Sequence, residues 1–199
     1  KELNNSARNL KLTELKMDEE TIALGNSYDA NRKFPIRFDL DKQKKESMLW
    51  HGVEYQIESS PISGAKKIVY GKKPHDITIP VYKTVETVES VAPPLAYLIP
   101  PQWTEVIDRL QFHNIAISQT SAPYSGKFEA YRFQNTKWPE EPFEGRFSPT
   151  YEVTKVNEQR DFPEGSVLVR LNQRSNRVIL GLLEPQSTDS FVAWGFFNA

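Results

Sequence analysis

Period-two alternation in short runs, each fenced by proline or glycine, constrains this chain more than any other feature. Val53, Tyr55 and Ile57 alternate with Glu54, Gln56 and Glu58. Successive side chains of a strand point to opposite faces, so this segment predicts a half-buried strand. Phe34, Ile36 and Phe38 alternate with Pro35 and Arg37, and Pro35, with no N–H to give a ladder, favours a sheet edge. Pro61 and Gly64 close the first segment, Ile68 to Tyr70 offers a return strand, and Ile77 to Tyr82 offers another after a turn at Gly71 to Pro74. Residues 34–92 therefore predict an antiparallel β region of sandwich-like sheets.

Residues 93–199 predict an α+β region. The pairs Pro93-Pro94 and Pro100-Pro101 bracket the apolar run Leu95 to Ile99. Trp103, Val106, Ile107 and Leu110 then follow at the i, i+3, i+4, i+7 spacing of one helix face. Strands are expected at Ile115 to Ile117, Phe128 to Phe133, Tyr151 to Val156 and Val167 to Leu171, the last with Val167, Val169 and Leu171 inward. A second helix is expected from Ser175 to Leu183, with Val178, Ile179, Leu182 and Leu183 as its stripe and Pro185 closing it. Residues 1–33 are polar, and Leu10, Leu12, Leu15 and Met17 fit neither period, so they form a lead-in segment. The fold class is mainly β, or α+β: antiparallel sandwich-like sheets with two short amphipathic helices.

Composition narrows the chemistry. The 199 residues include 25 Lys and Arg against 26 Asp and Glu, a net charge of −1 that offers no general attraction to nucleic acid. The absence of cysteine removes disulfides, thiolate nucleophiles and Cys-based zinc sites. No run approaches the ~18 apolar residues of a membrane-spanning helix, and no signal-peptide pattern opens the chain. The start at Lys1 suggests a processed or excised product, and Asn4-Asn5-Ser6 matches the glycosylation pattern only formally.

No complete active site emerges. His51 and Glu54 carry a zinc-ligand spacing, yet an odd offset in a strand sends them to opposite faces unless a bulge intervenes, and His75 and His113 lie in no ligand context. Asp189-Ser190 lacks a nucleophile elbow and predicts a turn or cap. Glu140, Glu141 and Glu144 beside Trp138, Phe143 and Arg146 could cleave or grip a sugar, or could be solvated acids of a proline-bounded loop with one paired to Arg146. Neither catalytic nor metal-binding residues are assigned in this chain.

The segment Ala92 to Trp103, followed by Val106 to Leu110 and His113, resembles a stretch that follows the catalytic domain in bacterial zinc carboxypeptidases of the carboxypeptidase A-like family. So do Leu182-Leu183-Glu184-Pro185-Gln186, Asp189-Ser190-Phe191 and Trp194-Gly195-Phe196-Phe197-Asn198. The resemblance spans residues 80–199 and implies a non-catalytic C-terminal region of an exported, periplasmic or extracellular metallopeptidase. It places zinc in the catalytic domain of the parent protein, with no cofactor in this chain. It makes that catalytic domain the expected partner. Four large rings within seven positions, Phe191, Trp194, Phe196 and Phe197, are the expected docking face, which would allow the isolated chain to self-associate. The competing expectation is an independent sugar- or peptide-binding module using an exposed loop of Trp138, Glu141 and Arg146, with Trp50, Trp103 and Trp194 mostly in the core.

Overall fold

The computed structural model describes residues 2–198, with side chains from Ser6 onward. The Asn4 side chain of the formal glycosylation pattern and the final Ala199 lie outside the described residues. In chain order the elements are α1 (Glu2–Leu24), β1 (Phe34–Leu40), β2 (Lys45–Ser59), β3 (Lys66–Tyr82), β4 (Val85–Val91), β5 (Ala96–Ile99), α2 (Thr104–Phe112), β6 (Ser118–Gln119), β7 (Tyr124–Lys137), β8 (Thr150–Phe162), β9 (Val167–Arg170) and α3 (Asn176–Leu183). The fold is mainly β with antiparallel pairing, as the alternation predicts. The strands form three ribbons, β1-β4, β2-β3 and β7-β8, and one three-stranded sheet in the order β5-β9-β6. Two compact units result, residues 1–37 with 87–199, and residues 38–86.

The larger unit holds the core. Val167 and Val169 of β9 and Leu171 beyond it are buried as expected, together with Ile99 of β5, Val106 and Leu110 of α2, Ile115, Ile179 and Leu180 of α3, and Phe191. α2 occupies the stretch that its apolar spacing predicts. Residues 115–117 do not extend as a strand, which is confined to Ser118–Gln119. α3 presents a different face from the expected stripe. Asn176, Ile179 and Leu180 are buried and Leu183 partly so, at i, i+3, i+4 and i+7, while Val178 is 43% exposed. The polar Asn176 hides this register in the sequence, and it is buried because its Nδ2 donates to the Thr21 carbonyl of α1 at 2.9 Å.

The lead-in segment is mostly helix, although its apolar residues follow no helical stripe. Leu10, Leu12, Leu15 and Met17 are all exposed, so packing of an apolar face is not what holds α1. Instead Arg174 pairs with Asp18 at 2.8 Å and with Glu14 at 3.4 Å. The chain after α1 also passes hard against the backbone just beyond β9: a Cβ on Gly25 would lie 2.3 Å from the Asn172 nitrogen, so only glycine fits.

In the smaller unit, β2 and β3 make one long ribbon in which no described residue between 38 and 86 is buried. The expected sandwich has no counterpart there, since both faces of this ribbon are solvated. Tyr55 and Ile57, expected to be half buried, are 54% and 61% exposed, and Trp50, expected in the core, is 53% exposed. Gly71 to Pro74 is not a turn between two strands. The pairing jumps from Val53↔Pro74 to Tyr55↔Tyr70, so two extra residues of β3 bulge within one continuous strand.

Candidate binding cleft and aromatic face

The β7-β8 ribbon positions most of the candidate site. One extra residue sits on β7 between Gln134 and Lys137, where Asn135 takes a φ of 53°, a left-handed conformation that asparagine tolerates better than most residues. Such a bulge bends the strand and redirects the side chains beyond it. Trp138 comes directly after β7 and is 55% exposed, as expected. Beyond it the chain reverses in a tight turn: Phe143 and Arg146 exchange both backbone hydrogen bonds, at 2.9 and 3.0 Å, and Glu144 and Gly145 both have positive φ, 49° and 78°. This is the geometry that two-residue hairpin turns require, and Gly145 suits it without strain.

The structure brings the two expected binding groups together. The Arg146 guanidinium lies 3.8 Å from the centre of the Phe196 ring, the Phe143 and Trp194 rings meet tilted at 36° with centres 6.3 Å apart, and Asn198 Nδ2 donates to the Phe147 carbonyl at 2.7 Å. Arg146 pairs with Glu105 of α2 at 2.5 Å, not with one of the loop acids, and Glu141 remains exposed. Among the four rings expected to form a docking face, Phe191 belongs to the core at 3% exposure, held by Phe196 edge-on at 4.9 Å. Trp194, Phe196 and Phe197 are half-buried, Phe197 against Trp103 at 4.7 Å. Trp103 is accordingly half-buried too, at the boundary of the core. The exposed apolar surface nearby comes from Phe133, Trp138, Phe143 and Phe147. A groove of about 400 Å³ passes between Trp138, Tyr151, Pro185 and Phe197.

Tyr131 lines both that groove and a second cleft of about 450 Å³. The second cleft contains a residue that sequence reading passes over. Glu184, the helix-terminal acid of the Leu182 to Gln186 string, is 2% exposed, and its two carboxylate oxygens accept hydroxyl hydrogens, one from Tyr97 of β5 and one from Tyr131 of β7. Burial, and then the Glu184 charge, push the Tyr97 hydroxyl well above its ordinary ionisation range, and the same causes in the same order raise Tyr131. Both tyrosines therefore stay protonated donors. Burial also raises Tyr151, whose hydroxyl donates to the Pro185 carbonyl at 2.5 Å. The available signal was an acid ending the apolar helix Val178 to Leu183, directly before a proline.

The catalytic decoys have ordinary partners. His51 Nδ1 lies 2.9 Å from Asp76, and Glu54 pairs with Lys73 at 2.8 Å across the ribbon. Ser190 is buried with its hydroxyl donating to Pro185 at 3.0 Å and accepting from the Ala193 N–H, which is the expected turn chemistry. Among the described residues no three His, Asp or Glu side chains gather in a way that could hold a metal ion. No helix among them is long and apolar enough to cross a membrane.

Carboxypeptidase 2 of Trichophyton tonsurans is 33% identical over 102 residues, 51% of this chain and 19% of that protein. Carboxypeptidase 2 of Trichophyton rubrum matches to the same extent, and the probable carboxypeptidase 2 of Arthroderma benhamiae is 30% identical over 104 residues. These relatives are fungal, where the sequence resemblance pointed to bacterial proteins. No protein-family model matches the chain, and no solved structure does. The chain thus spans about a fifth of the length of the curated relatives it matches, and it contains a carboxypeptidase-related region.

Proposed function

We propose that this chain is a non-catalytic accessory region of a carboxypeptidase-like protein, and that the aromatic face around Trp138 and Phe143 packs on the peptidase portion or shapes access to it. The observation that carries the reading is the convergence of the 138–147 loop and the C-terminal turn. Phe143 meets Trp194 and Arg146 lies over Phe196, leaving Phe133 and Trp138 exposed on one groove and Phe143 and Phe147 exposed at the neighbouring turn. Apolar patches of this kind mark interaction surfaces on folded domains. The carboxypeptidase names of the relatives, and the small share of them that this chain spans, favour a peptidase portion as the occupant. Zinc and peptide hydrolysis would then belong to that portion, in an exported protein.

The test is association of the purified chain with the peptidase portion encoded in the same reading frame, followed by sedimentation. The wild type should form a complex, and Trp138→Asp with Phe143→Asp should weaken it about tenfold or more, the loss typical of a central aromatic anchor. A reading frame without a peptidase portion, or a wild-type pair that sediments separately, would overturn the proposal. Zinc-dependent hydrolysis of peptides by the 199-residue chain alone would overturn it too.

A further inference from the structure

We infer that the Glu184 cleft is a binding site for a basic side chain, an alkylammonium group on an apolar stem such as a peptide lysine. The inference stands independently of the docking reading, because it concerns a different surface and a different ligand. Three observations carry it. First, Glu184 lies at the cleft with 2% exposure, and both its oxygens accept hydrogen bonds, the pattern of a carboxylate. A carboxylate oxygen can accept more than the single hydrogen bond that each tyrosine gives. Second, no described Lys or Arg is bonded to Glu184, so its charge is met by hydroxyl dipoles alone. Third, Tyr97, Trp103, Phe128, Tyr131 and Phe162 line the cleft, and aromatic lining accepts a methylene stem and attracts a cation, as Lys155 Nζ, 5.2 Å from the Tyr131 ring centre, already illustrates.

Charged groups at the cleft do not reverse this preference. Arg160 is engaged by Glu158, and Lys155, which lies 5.2 Å from the Tyr131 ring centre, is neutralised by Glu129 at 2.6 Å. Lys127 is exposed, so water and salt screen its repulsion, whereas the buried Glu184 is screened far less. A volume of about 450 Å³ admits a lysine side chain with adjoining backbone.

The experiment uses the whole 199-residue chain, isotope-labelled, titrated with end-blocked tripeptides carrying lysine, norleucine or glutamate at the centre, with amide shifts as the readout. The lysine peptide should move the Tyr97, Tyr131 and Glu184 amides and bind about tenfold more tightly than the norleucine peptide, the ratio expected of one desolvated charge contact. Glu184→Gln should erase that preference. If that variant does not fold, Phe128→Leu keeps the site readable: it should weaken lysine binding about threefold or more relative to norleucine, as loss of a cation–π wall predicts. Equal affinity of the lysine and norleucine peptides, shifts confined to other residues, or tighter binding of the glutamate peptide would each overturn the assignment.

Discussion

At the residue scale, Glu184 ties three elements of the larger unit together. A buried carboxylate is costly unless its oxygens are satisfied, and here one hydroxyl comes from β5 and one from β7 while the acid itself ends α3. Removing it strands two donors. Glu184→Ala should therefore destabilise the chain by about 3 kcal/mol or more, since each hydrogen bond to a charged group contributes ~1.5 to 3, and a urea melt reads this directly. The tyrosines add a pH dependence of definite sign. Their folded ionisation lies above the ordinary value of 10.0, so the stability that they contribute is complete below that pH. It falls as pH rises further, because the unfolded chain then releases protons that the folded one keeps. The slope reaches ~1.4 kcal/mol per pH unit for each tyrosine. Melts across about pH 9 to 11 should show it, and Tyr97→Phe should make the decline shallower; an unchanged slope would place that hydroxyl in water.

At the scale of elements, the sequence was legible where packing follows a period and opaque where polar groups do the holding. β9 and α2 were foreseeable because Val167, Val169, Val106 and Leu110 carry the pattern of the face they bury. α1 was not, because it is held by Arg174, Asn176 and the close passage at Gly25, which have no periodicity. The convergence of Phe143 with Trp194 was equally invisible, depending on a one-residue bulge at Asn135 and a tight turn at Glu144-Gly145 rather than on any repeat. Gly25→Ala tests the α1 attachment. The added Cβ would meet backbone at 2.3 Å, which a side-chain rotation cannot relieve. A cost of about 1 to 3 kcal/mol is expected, with faster amide exchange in 14–24, as overpacking against fixed backbone produces. Trp103→Ala should cost roughly 2 to 3 kcal/mol, less than a wholly buried ring because only part of the side chain leaves water.

At the scale of the whole molecule, the asymmetry between the two units makes the last prediction. Every member of the buried apolar cluster lies in 1–37 or 87–199, whereas the β2-β3 ribbon buries none of its residues. A two-stranded ribbon without a covered face is marginal in water, so its amides should open without the rest of the chain. Its cross-strand pairs, Glu58 with Lys67 and Glu54 with Lys73, are solvent-exposed ion pairs of the kind that adds little. Replacing residues 41–84 by a short Asn-Gly link should consequently leave the larger unit folded. The ends of the excised segment already meet, since the Asp41 N–H donates to the Thr84 carbonyl at 2.9 Å. The shortened chain should keep its cooperative urea transition, with a lower denaturant slope because less surface is exposed on unfolding. Hydrogen exchange of the intact chain should show 45–82 exchanging well before Val106, Val169 and Ile179. Loss of the cooperative transition on shortening, or ribbon protection equal to that of β9, would show that the 38–86 unit contributes to the core stability that its exposure argues against.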